Sequence, residues 1–237
     1  GTGCTGSRFL NGNLTLHHQL EDELSDFLGF EDTLVFASGF LANLGAISTF
    51  ASRGDFILSD ADNHACIIDG IRLSLAKKFN FRHRDMNDLQ RILTMLGDDA
   101  NTLVITDGVF SMTGSIAPCN ELRNICNQNN SALYIDDAHG LGVIGKYGKG
   151  SPEYFGIKPD IYMGTFSKSL AAQGGFISGS KQMIDVLRHK ARSFMFSAAL
   201  SPSNTAIALQ SMRILRDEPE IMDKLRDNVD YLRKIYQ

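Results

Sequence analysis

The sequence predicts an α/β fold in which a mostly parallel, seven-stranded sheet is flanked by helices. Seven short segments, most of them continuously apolar, alternate along the chain with longer segments of helical periodicity. Strands buried on both faces have such apolar runs, and parallel strands joined by helices bury them on both faces. Polar and glycine residues also collect directly after the strands, where α/β proteins bind their ligands.

The predicted elements follow one another in a regular order. The first helix carries four apolar residues at helical spacing, Leu16, Leu20, Leu24 and Phe27. Strands are predicted at 33–37, 55–59, 78–81, 102–106, 132–136, 160–164 and 174–178. Further helices are predicted at 40–51, 65–76, 86–96, 119–129, 180–190 and 202–216, with a last one beginning at Pro219. Because apolar strands and helices alternate, most strand pairs are expected to be parallel.

The composition is that of an ordinary globular domain. The chain has 237 residues, of which 43% are hydrophobic and 21% charged, and its net charge is −4. These values exclude disordered, collagen-like and coiled-coil chains, and the mild acidity gives no general attraction to nucleic acid or an anionic membrane. No apolar run reaches the roughly 18 residues of a membrane span. The start of the chain has no signal-peptide pattern, so a cytoplasmic location is expected.

Titratable, hydroxyl and glycine residues follow five of the predicted strands. These groups are Ser38-Gly39-Phe40, Asp60 to His64, Asp107 to Ser111, Asp136 to His139 and Thr165 to Lys168. The carboxyl ends of parallel strands meet at one edge of a sheet, so these groups are expected to line one ligand site. A merely structural sheet has little need of such groups at five strand ends.

Two glycine-rich stretches match nucleotide-binding motifs only in part. GTGCTG at 1–6 has the G-x-G-x-x-G spacing, but no strand precedes it and residues 7–12 have the composition of a loop. Gly140 and Gly145 have the spacing of a P-loop, but Tyr147 stands where that motif needs a magnesium-binding hydroxyl. A nucleotide-binding oxidoreductase is therefore the weaker hypothesis.

The sequence predicts no metal site. Asp136, Asp137 and His139 have the chemistry of metal ligands, but no second cluster at such spacing occurs, and capping or salt bridging is an open alternative for them. The four cysteines include no C-x-x-C pair, which argues against a structural zinc site. They are expected to be reduced, mostly buried thiols.

Four groups of residues match what a protein supplies to pyridoxal phosphate. This cofactor needs a lysine for its aldehyde, an acid beside its pyridine nitrogen, a phosphate cradle and a group on its ring face. The matching groups, in that order, are Lys168, Asp136, the turn 38–40 with Thr165, and His64. The turn opens a helix, whose N–H groups favour an anion. Each residue alone has an ordinary alternative, such as a solvated surface lysine for Lys168.

Six motifs give the chain a specific resemblance. They are GSRFLNGN, ASGFLAN, DADNHACIIDG, TDGVFSMTGSIAP, YIDDAHGLGVIG and GTFSKSLAAQGGF. Over essentially its whole length the chain resembles the α-oxoamine synthases, which are pyridoxal-phosphate enzymes. The resemblance implies the large domain of the PLP-dependent transferase fold type I.

The resemblance implies a role for each matching residue. Lys168 would bind the cofactor covalently and move the substrate proton, Asp136 would pair with the pyridine nitrogen, and His64 would stack on the ring. The other implied cofactor contacts are His139 and Ser111 near the ring hydroxyl, and Gly39, Phe40 and Thr165 at the phosphate. Ser197, in MFSAALSP, would reach the phosphate of a neighbouring subunit.

The implied reaction is the decarboxylative condensation of an amino acid with an acyl thioester. DDAHG and the compact link from His139 to Lys168 resemble the 8-amino-7-oxononanoate synthases of biotin synthesis, which join L-alanine to pimeloyl-CoA or a pimeloyl-carrier protein. TFSKS and SRFLNG also resemble bacterial serine palmitoyltransferases, which use L-serine and palmitoyl-CoA. The sequence favours the first assignment, and other α-oxoamine synthases remain alternatives.

The resemblance also predicts the domain organisation. Residues 1–216 are expected to form the cofactor-binding large domain, without the segment that precedes it in the family. Residues 217–237 are expected to lead toward a smaller C-terminal domain, absent here, that normally supplies an arginine for the substrate carboxylate. A homodimer with active sites between its subunits is implied. The presence of Lys168, Asp136 and His64 argues against a non-catalytic family member.

Overall fold

A seven-stranded sheet forms the centre of the structure, a computed structural model that describes residues 2–236. Its strands are β1 (Asp32–Phe36), β2 (Phe56–Asp60), β3 (Lys77–Phe81), β4 (Thr102–Asp107), β5 (Ala132–Asp136), β6 (Ile161–Thr165) and β7 (Gly175–Gly179). Their spatial order is β1-β7-β6-β5-β4-β2-β3. Each predicted strand exists within one or two residues of its expected bounds, and the predicted fold class is confirmed.

The direction of the strands changes at one side of the sheet. The pairs from β3 across to β6 are parallel, whereas β7 runs antiparallel to both β6 and β1. The segment 166–174 between β6 and β7 contains no helix. A connection without a crossover helix joins antiparallel neighbours, which explains the reversal.

Helices cover both faces of this sheet. In the described residues they are α1 (Thr15–Leu28), α2 (Gly39–Phe50), α3 (Ala65–Ser74), α4 (Met86–Leu96), α5 (Cys119–Gln128), α6 (Ser151–Phe155), α7 (Lys181–Lys190), α8 (Arg192–Met195), α9 (Pro202–Asp217) and α10 (Glu220–Tyr236). The sequence analysis missed α6 and α8. Helices of five and four residues are too short to show an apolar periodicity.

Three apolar clusters form the core. One lies between the sheet and α2, α3, α7 and α8, a second between the sheet and α1 and α9, and a third beneath α4 and α5. Leu34 and Val35 are consecutive in β1 and belong to different clusters, as expected where side chains alternate between two buried faces. Burying each such side chain contributes about 1.5–3 kcal/mol, and the clusters hold the strand ends in fixed positions.

The two ends of the described chain differ in secondary structure. Residues 2–14 contain neither helix nor strand, so no helix begins at the end of GTGCTG, as a dinucleotide fingerprint requires; Gly1 lies outside the described residues. The helix α10 is mostly exposed and buries Met222. The expected boundary at 216–217 falls at the end of α9 and stays a prediction, with Gln237 outside the described residues.

Two further features concern the described residues as a whole. None of their helices combines the length and the apolar character required to cross a membrane. Cys4, Cys66, Cys119 and Cys126 are all free thiols, and the last three are buried.

Candidate active site

A cavity of about 250 Å³ lies at the carboxyl ends of the central strands. Its lining includes all eight residues predicted for the cofactor site, namely Gly39, Phe40, His64, Ser111, Asp136, His139, Thr165 and Lys168. Ser38, Cys66, Asp107, Val109, Ala138, Met163 and Ser167 complete the lining. The sheet topology thus brings together residues that are far apart in sequence, while their individual roles remain predictions.

The N-terminus of α2 forms one wall of this cavity. Ser38 caps the helix, because its Oγ accepts a hydrogen bond from the Leu41 N–H at 3.1 Å and its carbonyl accepts one from Ala42 at 3.0 Å. The N–H groups of Gly39 and Phe40 precede these and have no partner within the helix. Together with the positive end of the helix dipole, they favour a phosphate group.

The same wall is tightly packed against β6. A Cβ atom on Gly39 would lie 2.8 Å from Met163 Cε and 3.0 Å from Thr165 Oγ1, so a larger residue there would force these side chains to shift. The buried Thr165 hydroxyl donates to the Gly174 carbonyl at 3.0 Å and lies 3.0 Å from Ser167 Oγ. Backbone N–H groups and hydroxyls therefore face the same end of the cavity.

Asp136 ends β5 and is 3% exposed. Its Oδ2 accepts a hydrogen bond from Asn43 Nδ2 at 2.6 Å, and its Oδ1 accepts one from the Ala138 N–H at 3.1 Å. Burial raises the pKa of this carboxyl, and the two hydrogen bonds and the nearby charges of His64 and Lys168 oppose that rise.

A second buried acid, Asp107, stands beside Asp136 in the register of β4 and β5. Its Oδ2 accepts the His64 backbone N–H at 3.0 Å. Burial, and then the charge of Asp136, raise the pKa of Asp107 to about 9. Two adjacent buried carboxyls favour the binding of a positively charged group between or beside them. A protonated pyridine ring is such a group, and the site therefore fits pyridoxal phosphate at its ring nitrogen.

His64 is the N-cap of α3. Its Nδ1 accepts the Cys66 backbone N–H at 3.3 Å and lies 2.8 Å from Cys66 Sγ. These contacts fix one edge of the imidazole, whose side chain is exposed in the cavity. The arrangement leaves the ring face free to lie against a planar ligand.

Lys168 and His139 reach the cavity from the turns after β6 and β5. Lys168 is exposed and lines the cavity from the turn 166–170. Burial and then the Lys168 charge lower the pKa of His139, which favours its neutral form. Ser111 is exposed and lines the same cavity.

Asp137 does not converge with Asp136 and His139 on a metal. Its carboxylate accepts hydrogen bonds from the Ser151 backbone N–H at 2.7 Å, Ser151 Oγ at 2.8 Å and Tyr162 Oη at 3.2 Å. Within residues 2–236, no group of three or more His, Cys, Asp or Glu side chains has a metal-binding arrangement. The capping alternative left open for these residues holds for Asp137.

Three buried side chains beside Asp136 were missed by the sequence analysis: Asn43, Cys66 and Tyr134. Asn43 could have been found, because it lies one helical turn after Gly39 on an otherwise apolar face of α2. Ser197 does not line this cavity but borders a separate small one. Its expected reach toward a neighbouring subunit stays a prediction.

Comparisons with known proteins show the family to which the chain belongs. The model of the family "Aminotransferase class I and II" matches residues 3–237. A serine palmitoyltransferase of Sphingobacterium spiritivorum is 48% identical, over 99% of this chain and 59% of its own length. An 8-amino-7-oxononanoate synthase of Lysinibacillus sphaericus is 46% identical, over 98% of this chain and 60% of its own length.

A solved structure extends the likeness to three dimensions. It is a variant serine palmitoyltransferase from S. paucimobilis with a bound PLP–myriocin aldimine, 37% identical, with a TM-score of 0.93. The match covers 96% of this chain and 58% of that one.

The chain spans about three fifths of the length of the curated relatives it matches. The cofactor in the solved neighbour confirms the cofactor class predicted for the family. The matched family, the relatives of both predicted kinds and the shared architecture place the chain in the aminotransferase class I and II family and, within it, among the α-oxoamine synthases.

Proposed function

We propose that this protein binds pyridoxal phosphate and catalyses the decarboxylative condensation of an amino acid with an acyl thioester. The convergence of Lys168, Asp136, His64 and the N-terminus of α2 on one cavity carries this proposal. The relatives named serine palmitoyltransferase and 8-amino-7-oxononanoate synthase support the same reaction class.

Each part of the cavity holds one part of the cofactor in this proposal. The Lys168 amine would bind the aldehyde, Asp136 would pair with the ring nitrogen, and His64 would lie against the ring, since all three line the cavity. The N-terminus of α2, with Thr165, binds the phosphate. When bound, the cofactor supplies an electron sink that stabilises negative charge on the substrate Cα.

The chain's own groups move and hold the protons. The Lys168 amine would remove the proton from the substrate Cα. The Asp136 carboxylate holds positive charge on the ring nitrogen, which favours electron flow away from Cα. His139, neutral because its pKa is lowered, and Ser111 hydrogen-bond the ring hydroxyl.

Two substrate pairs are candidates. The relative at 48% identity and the solved neighbour are named serine palmitoyltransferases, which supports L-serine with a palmitoyl thioester as the first pair to test. The sequence analysis favoured L-alanine with a pimeloyl thioester, on the DDAHG motif and the compact link from His139 to Lys168. The relative at 46% identity supports that second pair.

A homodimer in the cytoplasm completes the proposal. Phe40, which lines the cavity, is 43% exposed, and Met112, next to Ser111, is 93% exposed. Large apolar side chains at such a site suit burial by a second copy of the chain. Light scattering of the purified protein tests this, and a monomer at micromolar concentration would contradict it.

The visible absorption spectrum of the protein loaded with pyridoxal phosphate tests the function. The protein is titrated separately with L-serine, L-alanine and glycine, and then given palmitoyl-CoA or pimeloyl-CoA, with products identified by mass spectrometry. A saturable spectral change and an α-amino ketone product are expected. The amino acid that saturates at the lowest concentration selects the substrate pair, and a protein without a cofactor band would contradict the proposal.

A further inference from the structure

Three buried side chains form a hydrogen-bonded chain that ends at Asp136. The Tyr134 hydroxyl donates to Asn43 Oδ1 at 2.6 Å, and Asn43 Nδ2 donates to Asp136 Oδ2 at 2.6 Å. Asn43 and Tyr134 are both 0% exposed. Neither has been given a role by the motifs or by the proposed function, yet both contacts are short and closed to solvent.

The chemistry of the end members fixes the direction of these bonds. Burial raises the pKa of Tyr134 well above its ordinary value, so its hydroxyl keeps its proton and is able to donate. The Asn43 carbonyl oxygen then faces Tyr134, and its amide N–H groups face Asp136. The flipped amide would set two acceptor oxygens against each other unless Asp136 carried a proton.

Both oxygens of Asp136 consequently receive a donor from the chain. Asn43 supplies the donor to Oδ2, and the Ala138 N–H supplies the donor to Oδ1. Donors on both oxygens favour the carboxylate over the neutral acid, against the effect of burial. The Asn43 amide also lies 3.0 Å from Cys66 Sγ, which limits its freedom to turn away.

From this geometry we infer that Asn43 is a positioning residue that aims the Asp136 carboxylate at the ring nitrogen of the cofactor. The inference rests on the proposed binding of pyridoxal phosphate and deepens it. Asn43 lies one turn after Gly39 in α2, so one helix carries both the phosphate-binding N–H groups and the amide that orients Asp136. The helix thereby couples the two ends of the cofactor site.

The first test measures the dissociation constant of pyridoxal phosphate by equilibrium dialysis. Loss of a hydrogen bond to a charged group is expected to weaken binding about tenfold or more in Asn43→Ala. Thr33→Val is the matched control, because Thr33 makes buried hydrogen bonds with Ser25 and Ser178 and does not line the cavity. The control is expected to lose stability and to keep the wild-type dissociation constant.

The second test uses the cofactor analogue in which the ring nitrogen is replaced by C–H. This analogue keeps the phosphate and the aldehyde but offers no ring cation to Asp136. If Asn43 acts through Asp136 on the ring nitrogen, wild type and Asn43→Ala bind the analogue within about twofold of each other, as expected for an uncoupled site. A merely structural defect would weaken the binding of both ligands equally.

The outcomes separate this inference from the proposed function. Where wild type binds the cofactor, two results overturn the role of Asn43. One is an unchanged dissociation constant in Asn43→Ala, and the other is an equal weakening of the binding of pyridoxal phosphate and of the analogue. A wild type that does not bind pyridoxal phosphate overturns the proposed function itself. If Asn43→Ala does not fold, Tyr134→Phe releases the amide with little change of shape, and a smaller loss limited to pyridoxal phosphate is expected.

Discussion

Two consecutive aspartates at the end of β5 lie in two different kinds of surroundings. Asp137 is 0% exposed and accepts three hydrogen bonds, from the Ser151 N–H, Ser151 Oγ and Tyr162 Oη. Asp136 is 3% exposed, lines the cavity and accepts from Asn43 and Ala138. Burial raises the pKa of both carboxyls, that of Asp137 to about 7.

The difference lies in what fills the space around each carboxylate. Around Asp137 the chain itself closes in: Gly150 has a φ of +90°, and a Cβ there would lie 1.7 Å from Asp137 Oδ2. Around Asp136 the cavity begins, and a second buried carboxyl, that of Asp107, stands beside it. Both carboxylates accept hydrogen bonds from the chain, but only Asp136 also lines the cavity, where a ligand could reach it.

The largest expected effect on turnover comes from replacing Lys168, which lines the cavity beside Asp136. Lys168→Ala removes the amine that binds the cofactor aldehyde and moves the substrate proton, so turnover is expected to fall about a thousandfold or more. Because Lys168 is exposed, the melting temperature should change little. Product formation from each substrate pair measures the effect, with Lys190→Ala, in the last turn of α7, as the control. Residual turnover near the wild-type rate would remove Lys168 from the mechanism.

Asp136→Asn tests the aspartate that lines the cavity. Asparagine has the same shape but cannot hold positive charge on a ring nitrogen, so turnover is expected to fall about a hundredfold. The free energy of unfolding should change by only about 1 kcal/mol, because a carbonyl oxygen still accepts from Asn43. Turnover and urea unfolding are measured on one preparation, and a wild-type turnover would contradict the assigned role.

Asp137→Ala is the matching change at the aspartate that the chain encloses. It leaves the Ser151 N–H, Ser151 Oγ and Tyr162 Oη without their common acceptor. The free energy of unfolding is expected to fall by about 3 kcal/mol. Urea unfolding measures the loss, and any fall in activity should follow the folded fraction. A stable variant with no activity would reverse the distinction between the two aspartates.

The smallest expected effect is a change in how the stability of the protein depends on pH. The pKa of Asp107, about 9 in the folded protein, is above its ordinary value, so this group's contribution to stability is greatest at low pH and declines as the pH rises toward 9. Asp107→Asn removes that decline, and its cofactor-free form should gain several degrees in melting temperature over wild type between pH 5 and pH 9. The exposed Asp98→Asn is the control, and a difference that does not vary with pH would contradict the pKa shift.

Local patterns were sufficient for the seven strands and the longer helices, and they singled out residues for the site, whose roles stay predictions. The seven strands and the longer helices came from apolar runs and helical spacing, and Lys168, Asp136 and His64 came from the positions after strands and from family motifs. The antiparallel direction of β7 was not predicted, because apolar runs in buried strands look alike in either direction.

The sequence by itself determined which chemical groups the protein has and on which strand ends they stand, because periodicity and strand-end position are local properties. Only the tertiary structure decided how each group is used. It set Asp107 beside Asp136, turned Asp137 toward Ser151, and placed Asn43 against both Tyr134 and Asp136. Burial and hydrogen-bond direction depend on neighbours far apart in the chain, and these determine whether two adjacent carboxyls hold the fold or bind a ligand.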